Sequence, residues 1–179
     1  APKTFCMKNN KLFLFCLCFI TLSSCEVKVD PGSTEATAPA KKTDSKIRNE
    51  ITVQAKGLKV EQAFLLNQDG TLVPEGNKAK VGEDVNMRLI ISGWKEENGM
   101  VYPGAGEKIT TSSNNVVLDE KDLFADYTAT GVKASDAKYI TLTATITKVE
   151  VLVDYYEVSF RVWDKKGDGE ITGSYKLHI

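Results

Sequence analysis

The residues with the chemical capacity to act lie mostly in loops. Asp164, Asp168, Gly169 and Ile171 fall at positions 1, 5, 6 and 8 of a calcium loop. The pattern breaks at Lys166, where a ligand belongs, and at Tyr175, where a bidentate Glu is required. A polar hairpin tip has the same composition, so Asp164 and Asp168 are weak metal candidates. Asp119, Glu120, Asp122 and Asp126 form a second acidic group, which the start of a helix explains through capping. A Ser–His–Asp arrangement needs a histidine base, and the single histidine, His178, alternates onto the polar side of the last strand. Glu96 and Glu97 are adjacent and point apart, with no partner carboxylate placed by spacing. Gly99 and Gly104 have phosphate-loop spacing, but Ala105 stands where Lys is needed. No catalytic residue and no cofactor is assigned. The aromatic residues Trp94 and Tyr102, in the loop Gly93–Glu107, and Trp163 with Tyr155, around a later strand, are the binding candidates, because Trp and Tyr anchor most recognition surfaces.

The chain has 179 residues, with 23 Lys+Arg against 24 Asp+Glu. All four cysteines lie in the first 25 residues, and every acidic residue follows them. Without residues 1–24, which hold Lys3, Lys8 and Lys11, the remainder carries 20 basic against 24 acidic groups, a net charge of −4. That balance offers no footprint for nucleic acid.

Lys8 and Lys11 precede an eleven-residue apolar run, Leu12 to Leu22. A bilayer span needs about 20 such residues, so the run has the length of a secretory h-region instead. Met7 is the expected start. Leu22-Ser23-Ser24-Cys25 then resembles the lipobox of bacterial lipoproteins. The resemblance implies cleavage before Cys25 and acylation of its thiol and new amino group. Two or more acyl chains anchor stably where one does not. Cys6, Cys16 and Cys18 leave with the leader, and lipidation consumes Cys25, which excludes an intrachain disulfide, a cysteine zinc site and a redox pair.

Residues 25–47 read as a tether: Pro, Gly, Ser, Thr, Ala and charge, too few apolar groups to offset the entropy of ordering. Its root-mean-square reach is on the order of 25 Å. Only Glu26 and Asp30 follow the cysteine closely, so the residues assign the domain to neither face of the outer membrane.

Residues 48–179 alternate with a period of two. Ile140, Leu142, Ala144 and Ile146 oppose a ladder of Thr141, Thr143, Thr145 and Thr147. Tyr156, Val158, Phe160 and Val162 form a second apolar face, and Ile171, Gly173, Tyr175, Leu177 and Ile179 a third. Asp164–Gly169 makes the hairpin loop between the last two runs. Earlier strands are expected at 51–55, 60–66, 71–73, 85–92, 108–111 and 116–118. A short helical segment is expected at 119–127, with Asp119 as N-cap and Leu123 and Phe124 plugging the core. Pro103 to Gly106 reads as a turn. These elements predict an all-β fold, a single antiparallel immunoglobulin-like or fibronectin-like sandwich.

Leader, tether and sandwich together resemble the small outer-membrane lipoproteins of the Bacteroidota. The anchor, the flexible tether and the lack of an assigned catalytic group lead to the expectation of a non-catalytic module, lipid-anchored at Cys25, serving as accessory or scaffold subunit of an envelope protein assembly; the fold-level likeness itself supplies no function. The alternative is a glycan-binding surface lipoprotein associated with nutrient uptake.

Overall fold

A strand with one apolar and one polar side is stable only when the apolar side meets another layer. In the computed structural model, which describes residues 46–149 and 152–179, the alternating runs meet that demand by forming two facing sheets. The expected leader, Cys25 and nearly all of the tether lie outside the described residues.

The order is β1 (Thr52–Lys56), β2 (Lys59–Asn67), β3 (Asp84–Ser92), β4 (Met100–Val101), β5 (Pro103–Thr111), β6 (Val116–Glu120), a 3-10 turn (Ala125–Tyr127), β7 (Val132–Lys133), β8 (Tyr139–Thr145), β9 (Tyr156–Asp164) and β10 (Glu170–Leu177). One sheet runs β1-β10-β9-β5-β6 and the other β2-β3-β8, while β4 and β7 form a small ladder. Every strand ladder is antiparallel. The chain crosses between the two large sheets after β1, β3, β6 and β8. This gives A-B-E facing G-F-C-C′, the immunoglobulin-type Greek key, with β1 added beside the last strand.

Met87, Leu89, Leu142, Val158, Val162 and Ile171 from both sheets merge into one core. The register explains why alternation was readable: Met87 pairs with Leu142 and Leu89 with Ile140, placing apolar side chains on the same side. Thr143 and Thr145 face outward and bond Asn86 and Asp84 on β3 at 2.7 and 2.6 Å. The expected strand at 71–73 is reduced to an isolated bridge between Leu66 and Leu72.

Five expectations are corrected. Asp119 and Glu120 belong to β6, and the helical segment contracts to one 3-10 turn. Asp119 does not cap it: the residue at its N-terminus is Phe124, with no side-chain cap, and the Phe124 N–H donates to Asp122 Oδ1 at 3.0 Å. Phe124 packs on the core as expected, but Leu123 is exposed. Pro103 to Gly106 is strand, because those small residues pair with β9 from Gly104↔Trp163 to Gly106↔Arg161. Ile179 is exposed beyond the last strand.

A buried asparagine clasp ties the start of the domain to its end. Asn49 Nδ2 donates to Val73 O at 2.9 Å and to Asn77 Oδ1 at 3.0 Å, and Asn49 Oδ1 accepts the Leu65 N–H at 3.0 Å. Asn77 Nδ2 donates to Asn49 O at 2.7 Å and to Lys176 O at 3.0 Å. Both residues have positive φ, 57° and 46°, a conformation asparagine tolerates better than most side chains.

Candidate functional site

The four aromatic candidates do not converge. Trp163 is the penultimate residue of β9, and Tyr155 directly precedes the opposite end of that strand. Tyr102 sits between β4 and β5, and Trp94 follows β3.

Trp163 is packed on both faces. A side chain at Gly104 would overlap its indole, so the ring lies flat on the β5 backbone. The Arg161 guanidinium stands 4.7 Å from the ring centre and is itself held by Glu170 at 2.7 Å. Cation–π packing of this kind fixes the ring and leaves mainly its rim exposed. The recess beside it is shallow, about 260 Å³.

Tyr102 is also enclosed. Gly131, at φ +66°, lies so close that an added Cβ would stand 3.1 Å from the ring, and the Lys166 ammonium lies 5.0 Å from its centre. Tyr155 sits 4.0 Å from the Lys176 ammonium and edge-on to His178 at 6.2 Å. His178 Nδ1 is 3.2 Å from Asp154 O.

Trp94 differs. It lines a cleft of about 630 Å³ over the outer side of β2, β3 and β8. Ile90 forms the floor, Tyr139 one wall, and Gln62, Glu61 and Lys138 part of the rim. Tyr139 is 52% exposed, with the Lys138 ammonium 5.6 Å from its ring centre. The Trp94 Nε1–H donates to Ala137 O at 3.1 Å, which holds the indole in place. Gly93 permits the sharp exit from β3: its φ is +93°, and an added Cβ would meet Gly57 O at 3.1 Å.

Asp164 explains how the cleft is supported. Its carboxylate is buried, Oδ2 accepts the Lys95 N–H at 2.7 Å, and Oδ1 accepts the N–H groups of Lys166 and Gly167 at 3.0 and 3.1 Å. Backbone N–H groups occupy both oxygens, so Asp164 organises a turn and pins the residue next to Trp94. Asp168 is exposed on the same loop. Among the described residues no group of three or more His, Cys, Asp or Glu is placed to hold a metal ion.

A second unusual site lies inside the sandwich. Glu107 on β5 is buried and its Oε1 has no hydrogen-bond partner; the Tyr175 hydroxyl on β10 is likewise buried and unpartnered. Burial raises the Glu107 carboxyl from 4.5 to about 7. Burial, and then the Glu107 charge, push the Tyr175 phenol well above its ordinary 10. Each favours its neutral form because no cation replaces the lost water.

Sequence reasoning overlooked Tyr139 and Glu107. Alternation through Tyr139–Thr147 does place Tyr139 with the outward threonines, and extending Ile109 and Thr111 back two residues turns Glu107 inward.

No family model matches the sequence, and no curated protein matches it. Among solved structures the chain is similar to the C-terminal domain of Wzt, at 14% identity and a TM-score of 0.45, over 73% of this chain and 78% of that one. It is also similar to an AA10 lytic polysaccharide monooxygenase from Streptomyces lividans, at 7% identity and a TM-score of 0.35, over 62% of each chain. At these scores neither likeness identifies a function.

Proposed function

We propose that this chain is a non-catalytic interaction module, lipid-anchored to the outer membrane through Cys25 and acting as an accessory or scaffold subunit of an envelope protein assembly. The observation that supports it best is the cleft at Trp94 and Tyr139. A recess over three paired strands with one end wall held in place, the Trp94 indole bonded to Ala137 O, is suited to holding a partner, because that wall loses little freedom on contact. Asp164, the carboxylate first suspected of chemistry, is spent on backbone donors. The lipobox residues and tether would supply the anchor and the reach.

Gentle detergent extraction of the native protein, tagged at its C-terminus, with mass spectrometry of the co-purifying chains, tests the assembly. A stoichiometric integral membrane partner supports the reading; recovery of the protein alone contradicts it. The anchor is tested separately. Native protein should carry acyl mass and Cys25→Ala should leave the membrane; membrane-bound Cys25→Ala together with unacylated native protein refutes lipidation. A second reading, a glycan-binding lipoprotein associated with nutrient uptake, is favoured by the half-exposed Tyr139 ring.

A further inference from the structure

We infer that the cleft over β2, β3 and β8 is a saccharide site, taking a short neutral oligosaccharide stacked on Tyr139 above Ile90, with Trp94 closing one end. This deepens and rests on the glycan reading, and it competes with the assembly reading for the same cleft.

The cleft offers an apolar floor and aromatic walls inside a polar rim. A pyranose ring has the complementary form: apolar C–H faces surrounded by hydroxyls that both donate and accept. The rim contains both kinds of partner, the Gln62 carboxamide, the Glu61 carboxylate and the Lys138 ammonium. Its charges are of both signs, the Glu61 and Glu96 carboxylates and the Lys138 ammonium. Glu61 is paired with Lys59 at 3.0 Å and accepts the Ser92 hydroxyl at 3.0 Å, and Lys138 stands 5.6 Å from the Tyr139 ring. A strongly charged ligand of either sign would therefore meet a like charge at the rim.

Position argues against an extended peptide. Peptides add to sheets at open edges, where unpaired backbone groups form the ladder. Here the floor crosses a sheet face, with Gln62 paired to Ile90 and Ile90 to Tyr139. The ligand must bring its own polar groups, as a sugar does. The volume of about 630 Å³ lies in the usual range for small-ligand sites, roughly 300–1,000 Å³. The Trp94–Ala137 hydrogen bond also prearranges the end wall, limiting the entropy lost on binding.

The test uses full-length protein carrying Trp163→Phe, which leaves Trp94 as its single tryptophan. Trp94 emission is followed during titration with cellotetraose, maltotetraose, mannotetraose and chitotetraose, and the same protein is applied to a glycan array. Saturable binding is expected for at least one saccharide, weakened about ten-fold or more in Tyr139→Ala and largely kept in Tyr139→Phe. Saccharide binding with unchanged affinity in Tyr139→Ala overturns the cleft assignment while leaving the glycan reading intact. Absence of binding to every tetraose and to the array overturns both.

Discussion

Trp94 and Trp163 both stand near a strand end on the outside of the same sandwich, yet their surroundings assign them different work. Trp163 lies on the bare backbone of Gly104 and under the Arg161 guanidinium, so its faces are used within the fold. Trp94 is tied through its N–H to Ala137 O, and the cleft beside it is open. The difference teaches that an aromatic near a sheet surface becomes a recognition element only where its neighbours leave a face uncovered. On the five-stranded sheet, glycine and arginine close the ring in. On the three-stranded sheet, the neighbouring Tyr139 projects into solvent instead.

Asp164 joins the two regions, since it follows Trp163 in β9 and holds the Lys95 N–H next to Trp94. Its replacement has the largest expected effect. Asp164→Ala strips a charged acceptor from three backbone N–H groups and should lower stability by about 3–4 kcal/mol. Urea unfolding measures it; a loss below about 1 kcal/mol would break the link between the two tryptophans.

The inner side of the five-stranded sheet gives the next effect. Unfolded, Glu107 ionises above about 4.5, whereas folded it keeps its proton to about 7. Between those values the native state binds more protons, so this stabilising contribution is full below pH 4.5 and is lost as pH rises to 7. It amounts to about 3 kcal/mol. Unfolding free energies at pH 5 and 8 should show that slope in the wild type and a flatter one in Glu107→Gln. Equal slopes would place the charge elsewhere.

Gly104→Val tests the Trp163 side. Its side chain must displace the indole, at a cost of about 2 kcal/mol by chemical denaturation, and saccharide affinity should not change. The smallest expected stability effect is at Tyr139: being half exposed, it can become Ala with a change within about 0.5 kcal/mol.

How far the sequence carried these conclusions depended on burial. β8, β9 and β10 were legible because each buries one apolar side, which forces a period of two. Pro103 to Gly106 was not, since Gly104 and Gly106 have no side chains to alternate; Gly104 leaves room for Trp163, and Gly106 for the Glu120 and Lys121 carbonyls. Asn49 and Asn77 lie outside the alternating runs, and only contact with Val73, Leu65 and Lys176 makes them a clasp. Trp94 was visible as a candidate by residue type. Tyr139, its partner across the cleft, is 45 positions later, and only the placement of β8 beside β3 brings the two to one recess.

The contrast between Trp163 and Tyr139 is best measured with both variants in one experiment, equilibrium unfolding and oligosaccharide titration of Trp163→Ala and Tyr139→Ala side by side. The account predicts that Trp163→Ala loses about 2 kcal/mol of stability and keeps its affinity, while Tyr139→Ala keeps its stability and loses its affinity. Binding lost with Trp163 and retained without Tyr139 would contradict it.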